Sequence, residues 1–349
     1  MKNIIKTVIV MLTSISLFGS ANAGELAVSG TAKATYNVIS GIAQGKGLGI
    51  TNELNFTASG ELDNGYTWSY SMELDPADTA TGGAATNDDS KMTLTTPFGT
   101  VGIFVLEGGL DLEDGASQSV YARPTDIGDP SATVDNYTID SYNNLQYHTA
   151  KDMLPYGLSL KVAYAPDLDT TNNSGNQAGV NHNEETAAYV GRNATEYQIK
   201  ANPIEGLNVG ASYFEFDKAG MAKQDQAPES GSVMATYAIG NFTTGYSRAR
   251  RATLIADSAN TGVDDYDQAN FSLAMAVNDN LSVSYEREKS KANQNDDATA
   301  DVEQATNSVQ LAYNMGGMTI ALVQSSHDNV GYVEAADRDQ TLLAISLAF

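Results

Sequence analysis

The chain has 349 residues with 43 Asp and Glu against 19 Lys and Arg, a formal charge of -24 that argues against nucleic acid or any other polyanion as a partner. It contains no Cys, so neither disulfides nor thiolate metal sites contribute to it. Beyond the amino-terminal region no stretch approaches the ~20 apolar residues of a membrane-spanning helix, which excludes a helical membrane protein.

Residues 1–23 read as a secretory signal peptide. Lys2 and Lys6 precede an apolar run from Val8 to Phe18, and Gly19-Ser20-Ala21-Asn22-Ala23 forms a small-residue cleavage site. The mature chain is expected to span 24–349, and its charge becomes -26 once the two lysines leave.

In the first mature segment Leu26, Val28, Ala32, Ala34, Tyr36 and Val38 alternate with Ser29, Thr31, Lys33, Thr35 and Asn37. That is a strand with one apolar and one polar face. Tyr66 to Asp75 repeats the pattern, with Trp68, Tyr70, Met72 and Leu74 on the apolar side. A soluble sandwich could alternate in the same way, so the connections decide between the two.

Short turn-forming connections (Asp63-Asn64-Gly65, Pro97-Phe98-Gly99, Lys151 to Tyr156, Pro203 to Gly206, Gly240-Asn241, Asn278-Asp279-Asn280, Asn314 to Gly317) alternate with long acidic segments. The long ones lie near 39–49, 76–88, 107–142, 165–193, 217–230, 252–264, 290–302 and 327–338. Eight long and seven short connections predict sixteen strands. The fold class is therefore an all-β transmembrane antiparallel barrel, with short periplasmic turns and long extracellular loops. In hydrocarbon an unpaired strand edge costs several kcal/mol per group, so the sheet must close. Outward-parity aromatics near strand ends, including Tyr36, Tyr164, Tyr197, Tyr213, Phe271, Tyr285 and Tyr313, suit the headgroup level.

The third long segment, 107–142, is too long for an idle connection. It carries Asp111, Glu113, Asp114, Asp126 and Asp129, with Arg123 as the counter-charge. Strand parity sends Lys33, Lys91, Lys161 and Lys200 into the lumen together with Glu53, Glu73, Glu286 and Glu288. It sends Arg248, Arg250, Arg287 and Lys289 toward lipid, late in two outward-running strands. There they could meet lipopolysaccharide phosphates at the rim, unless a bulge flips them inward.

Several segments resemble the general diffusion porins of Gram-negative outer membranes. They are Gly60-Glu61-Leu62-Asp63-Asn64-Gly65 leading to Met72-Glu73-Leu74, Phe98-Gly99-Thr100-Val101-Gly102, Asn143-Asn144-Leu145-Gln146-Tyr147, Gly157-Leu158-Ser159-Leu160 with Ala163-Tyr164, and the terminal Phe349. The resemblance implies a homotrimer, a third loop folded into the lumen as a constriction, and Phe349 as the signal read by the barrel-assembly machinery. It departs where that family usually carries arginines, since Val105-Leu106 and Ser141-Tyr142 stand there. A strongly basic eyelet wall is not expected.

The functional expectation is a water-filled channel for small hydrophilic solutes and ions, preferring cations and using no cofactor or metal. A substrate-selective porin for sugar or phosphate, and a non-conducting structural or adhesion barrel, are the alternatives. The only Trp faces lipid, and parity gives no cluster of lumen Arg and Lys for phosphate. Enzymatic readings lack a motif: the three histidines, His148, His182 and His327, sit in no H-E-x-x-H, P-loop or G-x-S-x-G pattern. The acidic runs Asp167-Leu168-Asp169 and Asp264-Asp265-Tyr266-Asp267 miss EF-hand spacing and read as solvated loop.

Overall fold

A computed structural model describes residues 25–42, 44–76, 85–127, 135–166, 193–217, 226–255 and 262–349. The signal segment, Asp129, Asp167-Leu168-Asp169 and His182 lie outside the described residues. The strands are β1 Glu25–Gly41, β2 Gly45–Glu61, β3 Thr67–Pro76, β4 Ala85–Thr96, β5 Gly99–Val105, β6 Asn144–Thr149, β7 Ser159–Ala165, β8 Ala194–Ile204, β9 Leu207–Phe216, β10 Glu229–Ile239, β11 Phe242–Ala252, β12 Val263–Ala276, β13 Leu281–Gln294, β14 Val302–Met315, β15 Met318–Asp328 and β16 Arg338–Ala348.

Each strand pairs antiparallel with its sequence neighbours, and β1 pairs with β16 to close the barrel. The sixteen strands that the rhythm of connections predicts are all present. Closure is completed by the last residue: Gly30 N–H donates to the Phe349 carbonyl (2.8 Å) and Phe349 N–H to the Gly30 carbonyl (3.1 Å). Glycine is required at position 30 because a Cβ there would stand 2.7 Å from the Glu53 carbonyl and 2.9 Å from the Phe349 ring.

Period-two alternation becomes two surfaces. Leu26, Val28, Tyr36, Ile103, Tyr197, Tyr213, Val233, Tyr246, Phe271, Val309, Leu343 and Ile345 are exposed on the outer wall. The inner wall is polar, with Gln146, Gln198, Ser232, Ser272, Glu286, Ser308, Gln310 and Gln340 buried. This is a protein turned inside out relative to a soluble one, because its outer solvent is hydrocarbon.

The connections differ from expectation at one place above all. Residues 39–49, expected to be a long loop, are mostly strand, and β1 and β2 stay paired to Ile39↔Gly45. The run Asp264 to Asp267 likewise belongs to β12 rather than to a loop. Gly and Asp content signals poor strand propensity, but a paired neighbour supplies the missing stability and extends the ladder beyond the apolar belt.

Candidate functional site: the constricted lumen

Between β5 and β6 the chain leaves the wall at Leu106, whose φ is +54°, and runs inside the barrel. Inward polar side chains, often one from each successive strand, hold its backbone. Gln198 on β8 donates to the Leu110 carbonyl (2.7 Å), and Leu112 N–H donates to Ser232 Oγ on β10 (2.9 Å). Ser247 on β11 donates to the Glu113 carbonyl (2.6 Å) and Ser272 on β12 to the Ala116 carbonyl (2.7 Å). Val120 N–H reaches Ser284 on β13 (3.0 Å), Gln310 on β14 donates to the Ala122 carbonyl (2.7 Å), and Gln340 on β16 donates to that of Ile127 (3.2 Å). Ile127 then packs on Ala321, Val323, Leu342 and Ala344. On the return limb Ile139 N–H donates to Glu196 Oε2 on β8 (2.8 Å).

Each bond is worth about 1 kcal/mol, so a seated loop rests on their number rather than on any one of them. The loop covers the wall from β6 to β16 and leaves open the side formed by β1 to β4. There Lys33 reaches the loop, its ammonium 5.4 Å from the centre of the Tyr121 ring. Glu53 accepts from Asn55 Nδ2 (2.9 Å), and Lys91 is paired with Glu107.

The expected loop charges divide into two groups. Glu113 is 4% exposed and Arg123 is 9% exposed, so both are buried against the wall instead of facing the pore. Arg123 is the shared counter-charge of Asp114, Asp126, Asp135 and Glu288. Glu288 also accepts from Thr125 N–H (3.2 Å), while its neighbour Glu286 accepts from Ser117 Oγ (2.6 Å) and Asn270 Nδ2 (2.5 Å). Glu286 and Glu288 therefore face the lumen by parity but lie beneath the loop as its anchors. They are not pore lining. Asp114, Asp126 and Asp135 keep about half or more of their side-chain surface open to the lumen. Asp135, absent from the expected set, could have been found only by knowing which limb of the loop returns past Arg123.

Burial sets the loop's titration. It pushes Glu113 up to about 9, with the Asn136 N–H only partly opposing it, and the Asp114 charge adds to the rise. Glu113 is therefore protonated at neutral pH. Burial, then the charges of Asp114 and Asp140, raise Asp111 to about 6. Burial raises Asp126 to about 6 against the attraction of Arg123. Acids with raised values are ionised above them and neutral below. The negative charge of Asp111 and Asp126 is thus expected to be full above pH 7 and to weaken as pH falls through 6, which the zero-current potential at a fixed salt gradient would report.

On the outer wall, Arg248, Arg250, Arg287 and Lys289 do face outward, so no bulge flips them. Among the described residues, all but Arg287 are matched to acids across the sheet: Arg248 to Asp267 (2.7 Å), Arg250 to Asp265 (2.7 Å) and Lys289 to Glu303 (2.5 Å). Lumen parity also places His148, Lys161 and Lys200 on adjacent strands, so the register brings two lumen lysines together where strand parity alone had given no basic cluster.

A closed sixteen-strand barrel with an apolar outer belt, and a polar lumen narrowed by an inward loop, defines a membrane channel of the diffusion type. A family model described as Gram-negative porin matches residues 8–329, and the chain belongs to that family: it is an outer-membrane channel for passive diffusion of small hydrophilic solutes. Among solved structures it is similar to the loop-deleted OmpT of Vibrio cholerae (14% identity, 94% of this chain and 100% of that one, TM-score 0.64). It is also similar to Salmonella typhi OmpF in complex with daunomycin (15% identity, 93% and 98%, TM-score 0.66), and to a trimer form of Vibrio cholerae OmpT (13% identity, 94% and 100%, TM-score 0.62). At these identities the likeness speaks for the fold. No curated protein sequence matches the chain.

Proposed function

We propose that this porin is a general-diffusion pore with a preference for cations, exported by residues 1–23 and working as a homotrimer without catalytic activity, cofactor or metal. The observation that carries the selectivity is the excess of carboxylates where the lumen is narrowest. Asp114, Asp126 and Asp135 on the loop share one buried arginine. The facing wall adds Glu53, Glu73 and Asp89, which lie close enough to interact, against Lys33 and the already paired Lys91. Carboxylates lining a narrow opening with low-dielectric walls raise the local cation concentration and repel anions.

The trimer reading leans on the similar trimeric structure. Phe349, at the strand that closes the barrel, is the residue we assign to recognition by the barrel-assembly machinery. Lipopolysaccharide is the proposed outer-leaflet partner of the charged face around Arg287, Arg248, Arg250 and Lys289. Because three of these cations already hold acids, phosphates would compete for them rather than meet bare charge.

The test is the zero-current potential across a planar bilayer in a KCl gradient. Wild type is expected to show the sign of cation preference. The triple variant Asp114→Asn, Asp126→Asn, Asp135→Asn removes three of the six eyelet carboxylates and should lower that potential by about half. Anion preference in the wild type would sink the proposal, and a barrel that inserts without conducting would favour a structural role.

A further inference from the structure

Toward the short turns, β7 and β8 each turn a lysine into the lumen. We propose that Lys161 on β7 and Lys200 on β8, flanked by His148 on β6, form a binding station for small dianionic oxyanions, facing the periplasmic vestibule of the pore.

Register places the three side chains together. His148 stands directly opposite Lys161, Lys161 opposite Gln198, and Ser159 opposite Lys200. Directly opposed residues have Cβ atoms about 5 Å apart, and diagonal neighbours such as Lys161 and Lys200 stand about 7 Å apart, within reach of long side chains. An oxyanion with two negative charges spans that separation and accepts from both ammonium groups.

Neighbouring contacts hold the group in place. The His148 ring is oriented by its Nε2, bonded at 2.7 Å to Gln146 Oε1, while Gln146 Nε2 donates to the Gly108 carbonyl (2.6 Å). Gln146 Oε1 can only accept, so His148 Nε2 carries the proton. At Gly210 the missing side chain leaves a notch. Leu112 Cδ1 and Lys200 Cγ lie 2.6 and 3.2 Å from where a Cβ would be, so the Lys200 stem lies beside the loop's Leu112. Glu196, which grips the loop, is four residues nearer the extracellular end of β8 than Lys200. At about 3.3 Å per residue Lys200 lies about 13 Å along the strand from that grip, toward the periplasmic end.

Neither lysine has a carboxylate within ion-pair distance among the described residues, in contrast to Lys91, Lys289 and Lys291. Asp111 of the loop lies close enough for its charge to be felt at Lys200. Two lysines held at diagonal positions on a sheet, facing water in a confined lumen, repel each other, and a bound dianion relieves both. The eyelet above repels the same anion. A solute approaching from the periplasm would therefore meet the station before the barrier, so its occupancy should be one-sided.

The experiment uses the full barrel in planar bilayers in KCl at pH 7.5, with inorganic phosphate added to one chamber at a time. Phosphate on the periplasmic side is expected to reduce conductance saturably, and on the extracellular side much less. Lys161→Gln with Lys200→Gln should raise the half-blocking concentration about tenfold, the product of two weak pairings. Lys151→Gln, which removes an exposed turn charge at the same rim, should leave block unchanged, and Asp111→Asn should strengthen it. Should the double variant fail to form a heat-resistant barrel, each single variant is expected to shift block about threefold. A conducting wild type without saturable phosphate block, block equal from both sides, or block unchanged in the lysine variants overturns the station while leaving the cation-preferring eyelet to its own test.

Discussion

Arg123→Met is expected to unseat the constriction loop. The guanidinium is buried among Glu288, Asp114, Asp126 and Asp135, and those opposing charges hold its pKa well above the ordinary value despite the desolvation that works against it. Removing one partner of a buried ionic cluster strands the others, at a cost of about 3–5 kcal/mol. Methionine fills similar space but leaves Glu288 facing the Asp carboxylates with no cation between them. That cost exceeds what two or three of the loop's hydrogen bonds return at about 1 kcal/mol each. Single-channel records should show a larger mean conductance with frequent switching between levels, and protease added from outside should cleave within 107–142. A quiet channel of unchanged conductance would mean that the hydrogen bonds alone seat the loop.

Glu113 bears on the same equilibrium with the opposite sign of charge. Its folded value near 9 lies above the ordinary 4.5, so the seated loop binds that proton more tightly than an unfolded chain does. The stabilisation is present below 4.5 and is lost progressively as pH rises through 9. Alkaline solutions above pH 9 should therefore push wild type toward the Arg123→Met behaviour.

Gly245→Val should displace the loop without touching a charge. A Cβ at Gly245 would lie 1.8 Å from the Ala116 carbonyl oxygen and 2.8 Å from its carbon, which is backbone and cannot swing aside. The short 3-10 turn Asp114–Ala116 sits there on β11 and β12, and Ser272 donates to that same carbonyl. Overpacking of this kind costs about 1–3 kcal/mol, and more where backbone has to move. The barrel itself should survive, since β11 keeps its ladder on both sides. Electrophoretic mobility of the unheated protein would report an intact barrel while conductance reports the altered eyelet. Unchanged conductance with an intact barrel would show that the loop is not seated on β11.

Strand count, closure and the two faces of the wall were legible in the sequence because they rest on a local rule. Side chains alternate with period two whatever the distant chain does, so Lys33, Glu53, Glu73, Lys91, Lys161 and Lys200 could be assigned to the lumen from parity. Outward Arg248 and Arg250 followed from the same rule. Loop length was less legible, since residues 39–49 have the composition of a loop and are held as strand by a paired neighbour.

The path of the constriction loop could not be read at all. The inward polar residues that grip it are ordinary strand residues until the loop reaches them, and they do so across 86 residues at Glu196 and 213 at Gln340. That path decided which lumen-facing acids remain open to solute, as Asp114 and Asp126 do, and which become buried anchors, as Glu286 and Glu288 do. The sequence by itself determined a closed sixteen-strand barrel with an acidic interior, because alternation and turn chemistry act over a few residues. Only the tertiary structure decided where the lumen narrows and which charges line it, because burial is a property of what crosses the barrel and not of the strand beneath.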